Sequence, residues 1–284
     1  MTPARRFDDG IPQPRLIYGT AWKEERTAEL TELAIRQGFR GIDTANQRKH
    51  YFEEAVGQGI SRAISTGMVT REDLFLQTKF TFQGGQDHRL PYDPAAPVSM
   101  QVEQSFARSL THLNTDYLDS YVLHGPSVRS GLADADWQAW GAIESLFDRG
   151  QIRFTGISNV TLPQLELLCS RARIRPRFVQ NRCYARTGWD REVRELCAEL
   201  GILYQGFSLL TGNVPVVQSP AVAEIARRHQ CAPAQVVFRF SVQVGMIPLT
   251  GTSSAEHMRL DLDSSMIELT AAEVTTLERI VTSR

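Results

Sequence analysis

The sequence has little that would mark it for a specialised environment. Its four cysteines (Cys169, Cys183, Cys197 and Cys231), among 284 residues, form no CxxC pair and no ligand spacing with histidine. They read as free thiols of a reducing compartment, not as a disulfide framework. Six scattered histidines without an HxxxH pair make a zinc site unexpected, and no metal is anticipated. Charge of either sign is not in excess: 31 Lys and Arg stand against 32 Asp and Glu, a formal net charge of -1. A nucleic-acid or anionic-membrane partner would need a clustered basic face, so neither is expected. No stretch approaches the roughly 18 apolar residues of a membrane span. Residues 1–9 lack the apolar core of a signal peptide, so the expected location is the cytoplasm. No GxSxG elbow is present, and Tyr18-Gly19-Thr20-Ala21-Trp22 is not the GxGxxG turn of a doubly wound sheet.

What is there is alternation. Short apolar runs at residues 16–18, 41–43, 74–80, 117–124, 152–157, 178–180, 202–207 and 246–249 are separated by longer stretches with helical spacing. Helices are predicted over 26–37, from Ala55 to Ile64, and over 101–112, 137–149, 192–200, 222–229, 234–242 and 271–280. Another is predicted after Thr161, an N-cap with Pro163 in the first turn. The loop 81–98, marked by Gly and Pro, is long enough to suspect function. Eight strands alternating with helices in a chain of this length predict an α/β fold, a parallel (β/α)8 barrel forming one domain over residues 1–284.

In such a barrel the working face lies at the C-terminal ends of the strands. Asp43 ends the second strand, Lys79 the third and His124 the fourth. Ser158 and Asn159 follow the fifth, Gln180 ends the sixth, and Phe207-Ser208 ends the seventh. Tyr51 sits on the loop after Asp43. Each has a bland reading: a loop cap for Asp43, a snorkelling lysine, a satisfied core histidine, a loop tyrosine. Four bland readings on neighbouring strand ends are jointly less economical than one shared site. An ammonium held by Asp43 would stabilise a tyrosinate and draw the Tyr51 pKa down from about 10. A tyrosine so tuned exchanges a proton with a carbonyl or alcohol oxygen, with His124 orienting it. No side chain is an obvious nucleophile, and a hydride from a bound cofactor would fill that gap.

Gly41-Ile42-Asp43-Thr44-Ala45, Thr78-Lys79, the run from Asp116 through Asp119 and His124 to Pro126, and Gly156-Ile157-Ser158-Asn159 resemble the signature segments of the aldo-keto reductases. The likeness runs from Gly19-Thr20 to the final helix. It implies a (β/α)8 barrel that reduces aldehydes and ketones with a nicotinamide cofactor, usually NADPH. The family's tetrad would fall on Asp43, Tyr51, Lys79 and His124. Ser158, Asn159 and Gln180 would hold the carboxamide, with Phe207 stacked on the ring. Ser208, Leu210 and Gly212 would follow the pyrophosphate, beside Thr20 of the first strand end. Thr250, Gly251, Thr252 and Ser253 would take the adenosine phosphate end.

Two departures from the family pattern stand out. In most members the tyrosine comes five residues after the aspartate; here that position is Arg48 and the phenol comes at Tyr51. The inserted loop aligns either His50 or Tyr51 with the donor, and Tyr51 is preferred because a phenol beside a lysine suits the proton transfer. The lysine common after the eighth-strand Ile-Pro is Leu249 here, leaving His257 and Arg259 as 2′-phosphate candidates; NADPH is expected and NADH is possible. Trp22, His50 and Phe82 are the expected substrate walls. The family's long C-terminal loop has no counterpart after the last helix, which implies an open pocket tolerant of many small carbonyl substrates. The resemblance implies a monomer, a dimer being possible. A sensing barrel that binds the cofactor with little turnover, and a cofactor-free lyase or isomerase, are the alternatives.

Overall fold

Period-two alternation in short strands organises the molecule. In the third strand Phe75, Gln77 and Lys79 form one row, and Leu76, Thr78 and Phe80 the other; all six are buried. A strand covered on both faces belongs to a parallel sheet wrapped by helices. The computed structural model describes residues 13–280. Residues 1–9, read above for a signal sequence, and the chain end at Arg284 lie outside them.

The strands are β1 (Ile17–Gly19), β2 (Gly41–Asp43), β3 (Phe75–Phe80), β4 (Leu118–Leu123), β5 (Ile152–Ser158), β6 (Phe178–Arg182), β7 (Leu203–Phe207) and β8 (Met246–Thr250). They close into a parallel barrel in sequence order, sealed by Ile17 opposite Leu249 and Tyr18 opposite Thr250. The helices are α1 (Thr27–Gln37), α2 (Glu53–Ser65), α3 (Val98–Leu113), α4 (Asp134–Asp148), α5 (Leu162–Arg171) and α6 (Arg191–Glu199). After β7 come the short α7 (Val214–Val217), α8 (Pro220–Arg228) and α9 (Pro233–Gln243), and after β8 come α10 (Ala255–Asp263) and α11 (Ala271–Glu278). The predicted (β/α)8 barrel is therefore the observed one. The differences are local: β6 runs two residues past Gln180, and neither α7 nor α10 was predicted. Among the described residues no helix is long and apolar enough to cross a membrane.

Inside the barrel the side chains stack in layers. The floor is apolar, with Ile17, Phe75, Phe178, Ile247 and Leu249 buried together and Phe75 edge-on to Phe178 at 5.3 Å. One residue pair higher, the same inward rows turn polar. Gln77 and Gln180 both donate to Gln205 Oε1, at 2.8 and 2.9 Å, and both donate to Asp43 Oδ1, at 2.7 and 3.0 Å. Buried amides satisfied in this way hold their neighbours in one geometry. The outward rows meet the helices in a continuous apolar shell that includes Ile42, Leu76, Tyr121, Val179 and Tyr204. Helix α2 seats against α3 so closely that a Cβ on Gly57 would lie 1.9 Å from the carbonyl oxygen of His112. Only glycine fits there, and the entry of α2 fixes the loop that precedes it.

Candidate active site

Above the amide layer, Lys79 Nζ donates to both carboxylate oxygens of Asp43 at 2.7 Å and to Thr44 O at 2.8 Å. Both partners are buried. All three ammonium hydrogens are thereby engaged, and the charge stands 5.3 Å from the centre of the Tyr51 ring. The Tyr51 ring meets the His124 ring edge-on at 6.0 Å. His124 Nδ1 shares a hydrogen bond of 2.6 Å with Thr81 Oγ1, which leaves Nε2 toward the opening. Strand ends β2, β3 and β4, with the loop after β2, thus gather Asp43, Lys79, His124 and Tyr51.

The inserted loop owes its course to backbone bonds. His50 and Tyr51 both donate to Gln47 O, at 3.2 and 3.0 Å, and Trp22 donates to His50 O at 2.8 Å. This turn sets the His50 ring against Trp22, with centroids 4.2 Å apart, at the rim. Tyr51, the next residue, drops inward over Lys79. The long loop after β3 buttresses the turn: Gln47 Nε2 donates to Gly85 O at 2.6 Å and Gln86 Nε2 to Asn46 O at 2.9 Å.

The electrostatics correct one expectation. Tyr51 is not drawn toward neutrality. Burial, then the Asp43 carboxylate, push its phenol well above the usual tyrosine range, with Arg182 opposing them. Lys79 cannot offset this, because its charge is already matched by Asp43. Burial also draws the Lys79 ammonium down against the pull of Asp43. His124 is pushed down to about 3 by burial and then by Lys79, and is neutral at ordinary pH. His50 is lowered too, by burial and by Lys49.

These groups open onto a cleft of about 710 Å³. Its lining brings together Trp22, Asp43, His50, Tyr51, His124, Ser158, Asn159, Gln180, Phe207, Ser208, Leu210, Thr250, Gly251, Thr252 and His257, all singled out in the sequence. Ser158 Oγ donates to Gln180 O at 2.6 Å, and Asn159 Nδ2 donates to His124 O at 2.8 Å. With those N–H and O–H groups engaged, the side-chain oxygens of Asn159 and Gln180 remain as acceptors for an occupant. Phe207 adds a flat apolar plate beside them.

The Aldo/keto reductase family model matches residues 15–214. The chain belongs to the aldo/keto reductase family. It is 32% identical over 256 residues to the glyoxal reductase of Bacillus subtilis (strain 168), covering 89% of this chain and 83% of that one. It is 27% identical over 310 residues to the NAD(P)H-dependent D-xylose reductase of Hypocrea jecorina, covering 96% and 91%. In fold it is similar to the aldose reductase structure from Schistosoma japonicum, with a TM-score of 0.84 at 21% identity over 100% and 94% of the two chains.

For an aldo/keto reductase, six predicted residues do not line the cleft. Lys79 lies fully buried beneath the Tyr51 ring. Phe82 turns onto Phe80, ring to ring at 5.2 Å. Thr20 is buried, its hydroxyl donating to Asp43 O at 2.9 Å. Ser253 is exposed beside the N-cap of α10. Arg259 lies two residues from both His257 and Asp261, which puts it on the opposite face of α10, paired with Asp263 at 3.4 Å. Gly212 shapes the wall without lining it: a Cβ there would come within 2.7 Å of Ser208 O. The cleft also holds residues that sequence reading missed, namely Lys23, Arg182, Gln235 and Asp261. Lys23 Nζ donates to Gly251 O across the β1–β8 seam. Arg182 had a signal, since strand alternation continued from Phe178 and Gln180 lands on it.

Proposed function

We propose that this aldo/keto reductase reduces small aldehydes and ketones to alcohols with NADPH as hydride source, NADH being the alternative. One observation carries the reading: a protonated phenol and a neutral imidazole face the same cleft, directly above a buried ammonium–carboxylate pair. The remaining wall fits a dinucleotide. The Asn159 and Gln180 oxygens suit a carboxamide, Phe207 suits a nicotinamide face, and Ser208 and Leu210 lie on the path between that face and the β8 end. Lys23 at Gly251, with Thr252 and His257 at the start of α10, suits phosphate, since helix N-termini attract anions.

Bound there, the reduced cofactor supplies a hydride to the carbonyl carbon. Tyr51 keeps its proton at ordinary pH, so it acts as the acid: as charge builds on the carbonyl oxygen, its O–H donates to that oxygen. Asp43 holds Lys79 in register beneath the ring, and Arg182 is the charge that eases the phenolate left behind. His124, anchored through Nδ1 to Thr81, presents its other nitrogen to orient the carbonyl.

A fluorescence titration with NADPH and NADH side by side, followed by cofactor oxidation with 4-nitrobenzaldehyde, tests this. The expected result is binding of both, NADPH the tighter, and turnover with the aldehyde. Binding without turnover on any simple aldehyde would instead leave a sensing barrel, and no binding of either nucleotide would remove the reading altogether.

A further inference from the structure

Arg182 is the part of the cleft whose hydrogen-bond donors the chemistry above leaves unused. It ends β6 on the same row as Phe178 and Gln180, opposite Phe207 of β7. Its guanidinium lies 5.4 Å from the centre of the Phe207 ring. Among the described residues it has one hydrogen bond, to Tyr184 Oη at 3.2 Å, and no ion pair. A guanidinium carries five N–H donors in a fixed fork, so most of them are open to the cleft. The acids lining the same space do not neutralise it. Asp43 is held by Lys79 at 2.7 Å, and Asp261 accepts from Thr250 Oγ1 at 2.7 Å at the far end.

Arg182 is solvent-exposed at the cleft wall and has no counter-ion among the described residues. Such a guanidinium is matched by a planar anion, which it grips through two parallel hydrogen bonds. Two anionic occupants could reach this cleft, the cofactor phosphates or a charged substrate. Lys23 stands with Gly251 at the β1–β8 seam, on the phosphate side. Arg182 stands beside Phe207, and its charge is felt at Tyr51, where the carbonyl oxygen is to be protonated. We infer that Arg182 holds a carboxylate on the substrate, and that the preferred substrates are carboxylate-bearing aldehydes or ketones, the oxo acids and semialdehydes. This rests on the carbonyl-reductase reading, with the reacting oxygen at Tyr51.

The test compares 4-carboxybenzaldehyde with 4-nitrobenzaldehyde in the wild type, Arg182→Met and Arg182→Lys. The wild type is expected to favour the carboxylate in kcat/KM by about tenfold or more, the range of one charge-assisted hydrogen-bonded pair. Arg182→Met is expected to erase that ratio, and Arg182→Lys to keep part of it. No preference in the wild type, or a preference that survives Arg182→Met, overturns the inference. So does an equal loss on both aldehydes with a matching loss of NADPH affinity, which would make Arg182 a phosphate ligand. Should the wild type oxidise no cofactor with either aldehyde, the reductase reading fails, and quenching of tryptophan fluorescence by the two aldehydes still judges this one. Tighter binding of the carboxylate that Arg182→Met abolishes supports it; equal binding, or tighter binding that Arg182→Met leaves intact, overturns it.

Discussion

Lys79 Nζ and the Asp43 carboxylate meet at 2.7 Å through both oxygens, with both side chains buried. Water has been replaced here by the ion pair, Thr44 O and the amides of Gln77 and Gln180. Removing one partner strands the other. Lys79→Met or Asp43→Asn is expected to cost about 3–5 kcal/mol in urea denaturation, because a buried charge loses its counter-ion. The double variant should recover part of that loss; additive losses would show that the pair is not the unit.

Tyr51 and His50 are neighbours with separate surroundings. Tyr51→Phe is expected to lower kcat for 4-nitrobenzaldehyde by about 10²–10⁴-fold, the usual yield of a positioned acid. NADPH affinity by fluorescence should hold. His50→Ala removes a ring packed, tilted, against Trp22 at 4.2 Å and should act mainly on KM. The reverse pattern would move the acid to His50.

Asp261 makes the cofactor-free protein sensitive to pH. Burial raises its carboxyl from 3.8 to about 6. Between those values the folded chain binds the proton that the unfolded chain has lost, so stability falls as pH rises from about 4 through 6. Asp261→Asn keeps an acceptor for Thr250 and lacks the titration. Its Tm advantage over the wild type is expected to grow from pH 4 to pH 7, by on the order of 2 kcal/mol in stability. A difference that stays flat across that range would show that the group does not titrate there.

Two glycines with the same helical context separate packing from propensity. Gly57→Ala drives a Cβ to 1.9 Å from a backbone oxygen of α3 and should cost about 1–3 kcal/mol or more. Gly141 in α4 meets nothing within 4 Å, so Gly141→Ala should stabilise by about 0.5–1 kcal/mol. Thermal melts of the two variants decide this, and opposite signs are expected.

Much of this was legible in the sequence because barrel strands are short, local and numbered by the chain. Alternation placed Asp43, Lys79, His124, Ser158, Gln180 and Phe207 at strand ends, and the closed barrel brings those ends together. Phe82 packs on Phe80 and does not line the cleft; an aromatic in a long loop has no period to say which way it faces. The helix that carries Arg259 has no clear sequence signal, and its phase turns Arg259 away from His257 and Asp261.

By itself the sequence determined the barrel, its working face and the residue types gathered there, since each follows from local periodicity and strand order. Only the tertiary structure decided the charge state and company of those residues. Burial depends on what the rest of the chain lays over a group, and that raises the Tyr51 phenol where the lysine expected beside it suggested the reverse. Pairing depends on contacts between distant segments, and those tie Lys79 to Asp43 while leaving Arg182, among the described residues, without a counter-ion beside Phe207.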